Sequence, residues 1–350
     1  MRHVSDFLVS ASWSVPAAVV AFMIAGLLTV VGSVRLVALG DALADRTGWG
    51  EALFGAIFFG LATSLSGIVM TAVTAATEAP QLAYSNAVGG IAAQTTAIAV
   101  ADLFYRRVNL EHATASLSNL LFGCLLLALL ALALLATYTP DVTVAGVHPV
   151  SVIMVGCYVG GVSIIHSTDA TPYWQAVDTV ETRRDLPQDH GPLDRRPVGL
   201  LWIRFALVGL TVAGGGWIIA LAGETLVSAT GLRAGFVGGI LMGLVNALPE
   251  TITAIAAVRR GAVTLAVAAI LGGNSLDALN LVVGDVFYRG GTIYHSAGTD
   301  ELFLTTAAML MTTVLLGGLL ARQVRGWGKL GFEGTLLLGG YLAVIAVLAF

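Results

Sequence analysis

The sequence predicts an all-α membrane protein, with about ten transmembrane helices arranged as two inverted five-helix repeats. Three observations carry this. Of the 350 residues, 57% are apolar and only 11% charged, with a mean hydropathy of +0.88. An ordinary soluble domain carries about 25% charged residues, so too little polar surface remains here to cover a water-soluble particle. Apolar stretches of spanning length recur along the chain, and a segment of the first half returns in the second without a gap.

A spanning helix needs about 20 mostly apolar residues. Such stretches run near 16–44, 51–76, 80–104, 115–138, 146–166, 198–229, 233–258, 262–287, 301–321 and 330–350. The run that follows Arg2 continues past Val31 with no small-residue cleavage site, so it reads as a retained first helix. No long stretch alternates strictly between apolar and polar, which argues against a β-barrel.

Orientation follows from the basic residues between spans. One side receives Arg46, Arg106, Arg107, Arg183, Arg184, Arg195, Arg196, Arg259, Arg260, Arg322, Arg325 and Lys329, and the other only Arg2, Arg233 and Arg289. The rich side is expected to be cytoplasmic, with both termini outside and the protein in the cell membrane. One hydrophilic connection, Thr168 to Arg196, separates five spans from five. The expected organisation is a first repeat over 1–166, a cytoplasmic linker over 167–197 and a second repeat over 198–350.

Residues 40–107 align on 223–290 with a constant shift of 183, and about 19 of the 68 positions are identical. SNAVGGIAAQ meets AAILGGNSLD, and DLFYRR meets DVFYRG. Five spans separate equivalent points, and five is odd, so the second copy enters the membrane upside down. Inverted repeats are the building plan of many secondary transporters, whose sites lie near the midplane where the repeats meet.

A carboxylate inside the membrane is costly unless it is protonated, hydrated or paired. Glu250 falls midway along the seventh span, with Asn246 one turn earlier on the same face. Pro249 removes a backbone donor and is expected to free carbonyl oxygens there. On the eighth span Asn274, Asp277 and Asn280 form a polar stripe, preceded by Gly272 and Gly273, which are expected to admit a close helix. Carboxylates, amide oxygens and freed carbonyls make an oxygen-rich site for a hard cation. The first copy differs: Ser66, Gly67, Ile91 and Gln94 stand at the mates of Pro249, Glu250, Asn274 and Asp277. It offers hydroxyls and amides instead, among them Thr63, Ser64, Ser85, Asn86, Thr95 and Thr96. The acidic pairs Asp102 and Asp285, and Asp41 and Glu224, fall near helix ends, where they are expected to be hydrated.

ALPETITA (247–254) with LGGNSLDALNLVVG (271–284) resembles the second signature repeat of the sodium/calcium exchanger family. ATSLSG (62–67) with SNAVGG (85–90) resembles the first, with key positions changed. The resemblance spans essentially the whole chain. It implies a cation antiporter that exchanges calcium, or another cation, against sodium or protons by alternating access. It further implies that Glu250 is an acidic ligand, that Asn274 and Asp277 are ligands on the next helix, and that Thr63 and Ser64 contribute from the first repeat. Gly67 and Ile91 depart from the ligands expected there, and Asn246 and Ala247 from the second Thr-Ser. Two carboxylates suffice for one divalent ion, so the expectation is fewer ions per cycle, or proton coupling through Glu250. A non-transporting scaffold or sensor with the same fold is the alternative.

The other readings are weak. His3, His112, His148, His166, His190 and His295 are scattered, and no HExxH pattern or nucleophilic motif is present, so no enzyme is expected. Cys124 and Cys157 both sit in apolar stretches and are expected to pack. No cofactor and no nucleic-acid partner are implied; the expected partners are the lipid bilayer and small inorganic cations.

Overall fold

The structure is a computed structural model and describes residues 13–47, 60–105, 108–170, 177, 197–261, 263–324 and 330–350. Within these, the side chains of 41, 44, 45, 47, 60–63, 169, 170 and 260 are left aside. The helices of the first half are α1 (Val15–Thr47), α2 (Gly60–Ala76), α3 (Pro80–Asp102), the short α4 (Leu110–Thr114), α5 (Leu117–Ala136) and α6 (Pro149–Ala170). The second half begins with α7 (Val198–Thr230). The single turn α8 (Ala234–Phe236) then runs through a π-helical stretch, Val237–Met242, into α9 (Gly243–Arg260). After it come α10 (Val263–Asp277), α11 (Asn280–Phe287), α12 (Thr299–Ala321) and α13 (Phe332–Ala349). Eight helical stretches are long and apolar enough to cross a membrane; α2 and α3 bring the spans to ten.

The exposed sides of these helices are apolar. On α1, Val20, Met23, Ile24, Leu27 and Leu28 recur at helical spacing and are all more than half exposed. A helix facing water would carry its polar residues there, so this stripe faces lipid. Helix α3 is the opposite case. Nearly every residue of it is buried, including Ser85, Asn86, Gln94, Thr95 and Thr96, so the most polar span is the central one and its side chains must find partners among other helices.

Where chain ends of helices are fixed, the local sequence gives the reason. Pro80 starts α3 at a position that needs no N–H, Ser116 caps α5 by accepting from Asn119 N at 3.2 Å, and Gly231 and Gly261 end α7 and α9 in the left-handed region. The Gly298 N–H donates to Glu301 Oε2 at 2.8 Å and closes the first turn of α12.

The shift of 183 holds beyond the segment aligned in the sequence. Helix α1 maps on α7 end for end, and Pro149 at the start of α6 maps on Phe332 at the start of α13. The inversion is visible in the contacts of mates. Gly40 lies against Phe205, Gly32 against Val212, and Gly215 against Thr29; one number falls as the other rises, so α1 and α7 are antiparallel.

Both ends of the bundle are clamped alike. Asp102 Oδ1 accepts from the backbone N–H of Leu110 at 2.7 Å, and its repeat mate Asp285 accepts from Ile293 N at 3.4 Å. Asp285 Oδ2 also takes His148 N and Ser151 Oγ, both at 2.7 Å. The backbone of Gly331, the mate of His148, likewise acts on Asp102. His112 Nδ1–H donates to the Arg322 carbonyl and its mate His295 donates Nε2–H to the Thr139 carbonyl, each at 2.7 Å. Thr139 and Arg322 are themselves mates, so each clamp ties one repeat to the other. Asp102 and Asp285 are fully buried, which corrects the expectation of hydrated helix ends: backbone N–H groups take the place of water.

Candidate ion-binding site

The two repeats meet at α3. Gly89 and Gly90 face the π-helical stretch and the start of α9: a Cβ on Gly89 would stand 2.2 Å from Gly239 Cα, and one on Gly243 would stand 2.8 Å from the Gly89 carbonyl carbon. Backbone therefore touches backbone at this crossing. Among the described residues, the close approach expected at Gly272 and Gly273 is found at their mates, Gly89 and Gly90. The irregular turn is likewise displaced. Pro249 sits inside a continuous α9, and the wide turn lies upstream at Val237–Met242, where two of six residues, Gly238 and Gly239, are small enough for the approach.

Across this junction α3 and α10 run antiparallel, and Gln94 reaches its own repeat mate: Gln94 Nε2 donates to Asp277 Oδ2 at 2.8 Å. Asn280 Nδ2 donates to the other oxygen of Asp277 at 3.4 Å. One turn back, Asn274 Nδ2 donates to Thr95 Oγ1 at 2.9 Å. Asp277 and Asn274 are fully buried, and so is Ser64, which stands close enough to act on the Asp277 carboxylate. The polar stripe read from the sequence therefore exists, and it faces α3. The helix breaks within the stripe, since Ala278 and Leu279, between Asp277 and Asn280, separate α10 from α11. No spacing in the sequence announced that break. A discontinuous helix inside a membrane leaves carbonyls that need partners.

Glu250 is 4% exposed and lies one turn beyond Asn246, on the same face of α9. Asn246 is buried against the first repeat: Ser66 Oγ donates to its Oδ1 at 3.1 Å. Of the five residues the resemblance singles out, Asn274, Asp277 and Ser64 gather at the α3–α10 interface. Glu250 faces the same junction from α9, and the Thr63 side chain lies outside the described residues. Sequence reasoning missed Gln94 as the direct partner of Asp277, although the alignment already paired the two.

The oxygen inventory at the junction is one-sided. Asn86 Oδ1, Gln94 Oε1 and Asn274 Oδ1 are buried and accept no hydrogen bond. Each such acceptor costs about 1–3 kcal/mol if nothing satisfies it. Native proteins rarely leave several together without a reason, and an ion is one. Among the described residues, no group of three or more His, Cys, Asp or Glu side chains is arranged to hold a metal, so a cation here would rely on neutral oxygens beside one or two carboxylates.

A family model described as sodium/calcium exchanger protein matches residues 17–165 and 200–350. The chain belongs to the sodium/calcium exchanger family. Exchangers of this family are transporters rather than enzymes. Solved structures of similar fold include the sodium-calcium exchanger NCX_Mj soaked with sodium and strontium, at 16% identity and a TM-score of 0.57, covering 95% of this chain and 99% of that one. Native YfkE is similar at 16% identity and a TM-score of 0.57, over 99% of both chains. At that identity the likeness to these structures speaks for the fold. Comparison with curated proteins returns no significant match.

Proposed function

We propose that the chain is a secondary antiporter that exchanges calcium, or another cation, against sodium or protons by alternating access. The observation that carries this reading is the Gln94–Asp277 contact. It is a buried carboxylate held by its own repeat mate on the axis between inverted repeats, with unsatisfied oxygens of Asn86, Gln94 and Asn274 nearby. Family membership supports the cargo class. The ligand set is Glu250, Asn274 and Asp277, with Thr63 and Ser64 from the first repeat. Both termini face outward, the 167–197 linker is cytoplasmic, and the five-helix units 1–166 and 198–350 rock against each other about the α3–α10 contact.

The test is calcium-45 uptake into proteoliposomes loaded with sodium, beside an arm driven by a pH gradient. Uptake that needs one of these gradients and is lost in Glu250→Gln is expected. A second reading, an exchanger-like scaffold or sensor, is favoured by Gly67 standing at the mate of Glu250. No flux in either arm from folded, inserted protein would select it.

A further inference from the structure

In this fold the mate of Glu250 is Gly67, so by symmetry a first-repeat carboxylate would project from position 67. Gly67 lies within α2, where its backbone is ordinary right-handed helix. Its conformation therefore gives no reason for glycine, and glycine there costs about 1 kcal/mol relative to alanine. The reason is volume. A Cβ at position 67 would stand 2.7 Å from Asn246 Nδ2, 2.8 Å from Oδ1 and 3.0 Å from Cγ. On its other side the same amide lies 3.0 Å from where a Cβ of Gly90 would be. Ser66 Oγ fixes its orientation by donating to Oδ1, Asn246 is fully buried, and its Nδ2 has no acceptor. The amide of the second repeat thus occupies the place of the first repeat's side chain, with its nitrogen and its oxygen both against position 67. Asn246 is the mate of Thr63, so its amide stands where the first repeat has a hydroxyl residue type.

We infer that Asn246 and Gly67 form a matched pair that closes the first-repeat half of the cation site and sets its ion preference. At position 67 the site lacks the carboxylate that a symmetric one would carry. A cation is ligated from the Glu250 and Asp277 side, and the Asn246 amide fills the space that a carboxylate at position 67 would need. This inference rests on the proposed transport site for its ion preference, while the pairing itself is a packing relation.

The experiment is a double-mutant cycle on the full chain in detergent, read as thermal unfolding with and without calcium. Gly67→Glu alone is expected to lower the unfolding midpoint, because carboxylate and amide compete for one space. Asn246→Thr, which restores the first-repeat residue type, is expected to relieve it, so the double variant is more stable than the sum of the single changes. With the carboxylate accommodated, the calcium concentration giving half-maximal stabilisation should fall about tenfold against the unaltered chain. Gly67→Gln with and without Asn246→Thr repeats the cycle with volume but no charge, and should show the same coupling without the calcium gain. Additive effects in both series would overturn the pairing. Coupling without any calcium gain in the Glu series would overturn the ion-preference half. A chain that shows coupling and calcium gain but no flux would count against the transport reading alone.

Discussion

The ends of the bundle and its middle have treated the same inverted repeat differently. At the ends, Asp102 and Asp285 each hold the backbone eight residues on, and His112 and His295 each hold a carbonyl of the opposite repeat. At the middle every informative position has diverged: Asp277 faces Gln94, Glu250 is matched by Gly67, Asn274 by Ile91, and the α10–α11 break has no counterpart in the continuous α3. The clamps satisfy backbone groups that any repeat of this shape must satisfy. The midplane instead carries groups that the fold does not need, so they were free to specialise.

The largest effect is expected where the midplane is most crowded. Gly89→Val should abolish folding or destabilise by about 3 kcal/mol or more, since the crossing at Gly239 is backbone against backbone. Gly156→Ala, which meets nothing within 4 Å, should be neutral in the same thermal assay or slightly stabilising.

The clamps come next, and they sharpen the comparison because their surroundings differ. Asp285→Ala leaves His148 N, Ser151 Oγ and Ile293 N without their acceptor and should cost about 2–4 kcal/mol in chemical unfolding. Asp102→Ala should cost less, because Asp102 sits beside Glu111 and Glu333 and its removal also relieves repulsion. Equal losses would mean that the acidic neighbours do not matter.

A smaller effect distinguishes the two ends by pH. Burial, helped by the charges of Asp102 and Glu333, pushes Glu111 in α4 well above the usual carboxylate range. A side-chain hydrogen bond with Glu333 also favours the protonated form, while Arg322 is engaged by the His112 and Val177 carbonyls. The folded state thus holds this proton more tightly than the unfolded one. The stability it contributes is fully present below the ordinary glutamate value and is lost as pH rises through the raised one. Melting temperature should therefore fall from pH 5 toward pH 9 at this end, and Glu111→Gln should flatten the fall and raise the value at alkaline pH. At the opposite end the mate is Tyr294, itself pushed upward by burial, so no matching carboxyl titration is expected there.

The spans were legible because each combined length with hydropathy, and all ten fall within a few residues of their sequence limits where described. The repeat was legible too, yet it extends further than its densest identities: the pattern D-x-F-Y-R-x5-H recurs at 102–112 and 285–295, and following it would have revealed both clamps. Burial of Asp102 and Asp285 was misjudged because a helix-end carboxylate looks the same in sequence whether water or backbone satisfies it. The π-helical stretch and the break at 278–279 were not legible, since neither needs a proline; close packing of glycines imposes the first. Asn246 could be placed on the right face but not against Ser66 and Gly67, because such a contact joins the two repeats across 180 residues of chain, as from Ser66 to Asn246.

The central claim is that the second repeat carries the charged ion ligands while the first supplies neutral oxygens and packing. Calcium-45 flux measured on mates tests it most directly. Asp277→Asn should cut flux about a hundredfold in folded protein, whereas Gln94→Asn, which keeps the amide at its mate, should stay within about threefold of the unaltered chain. Comparable losses at both positions, or none at Asp277, would contradict the account.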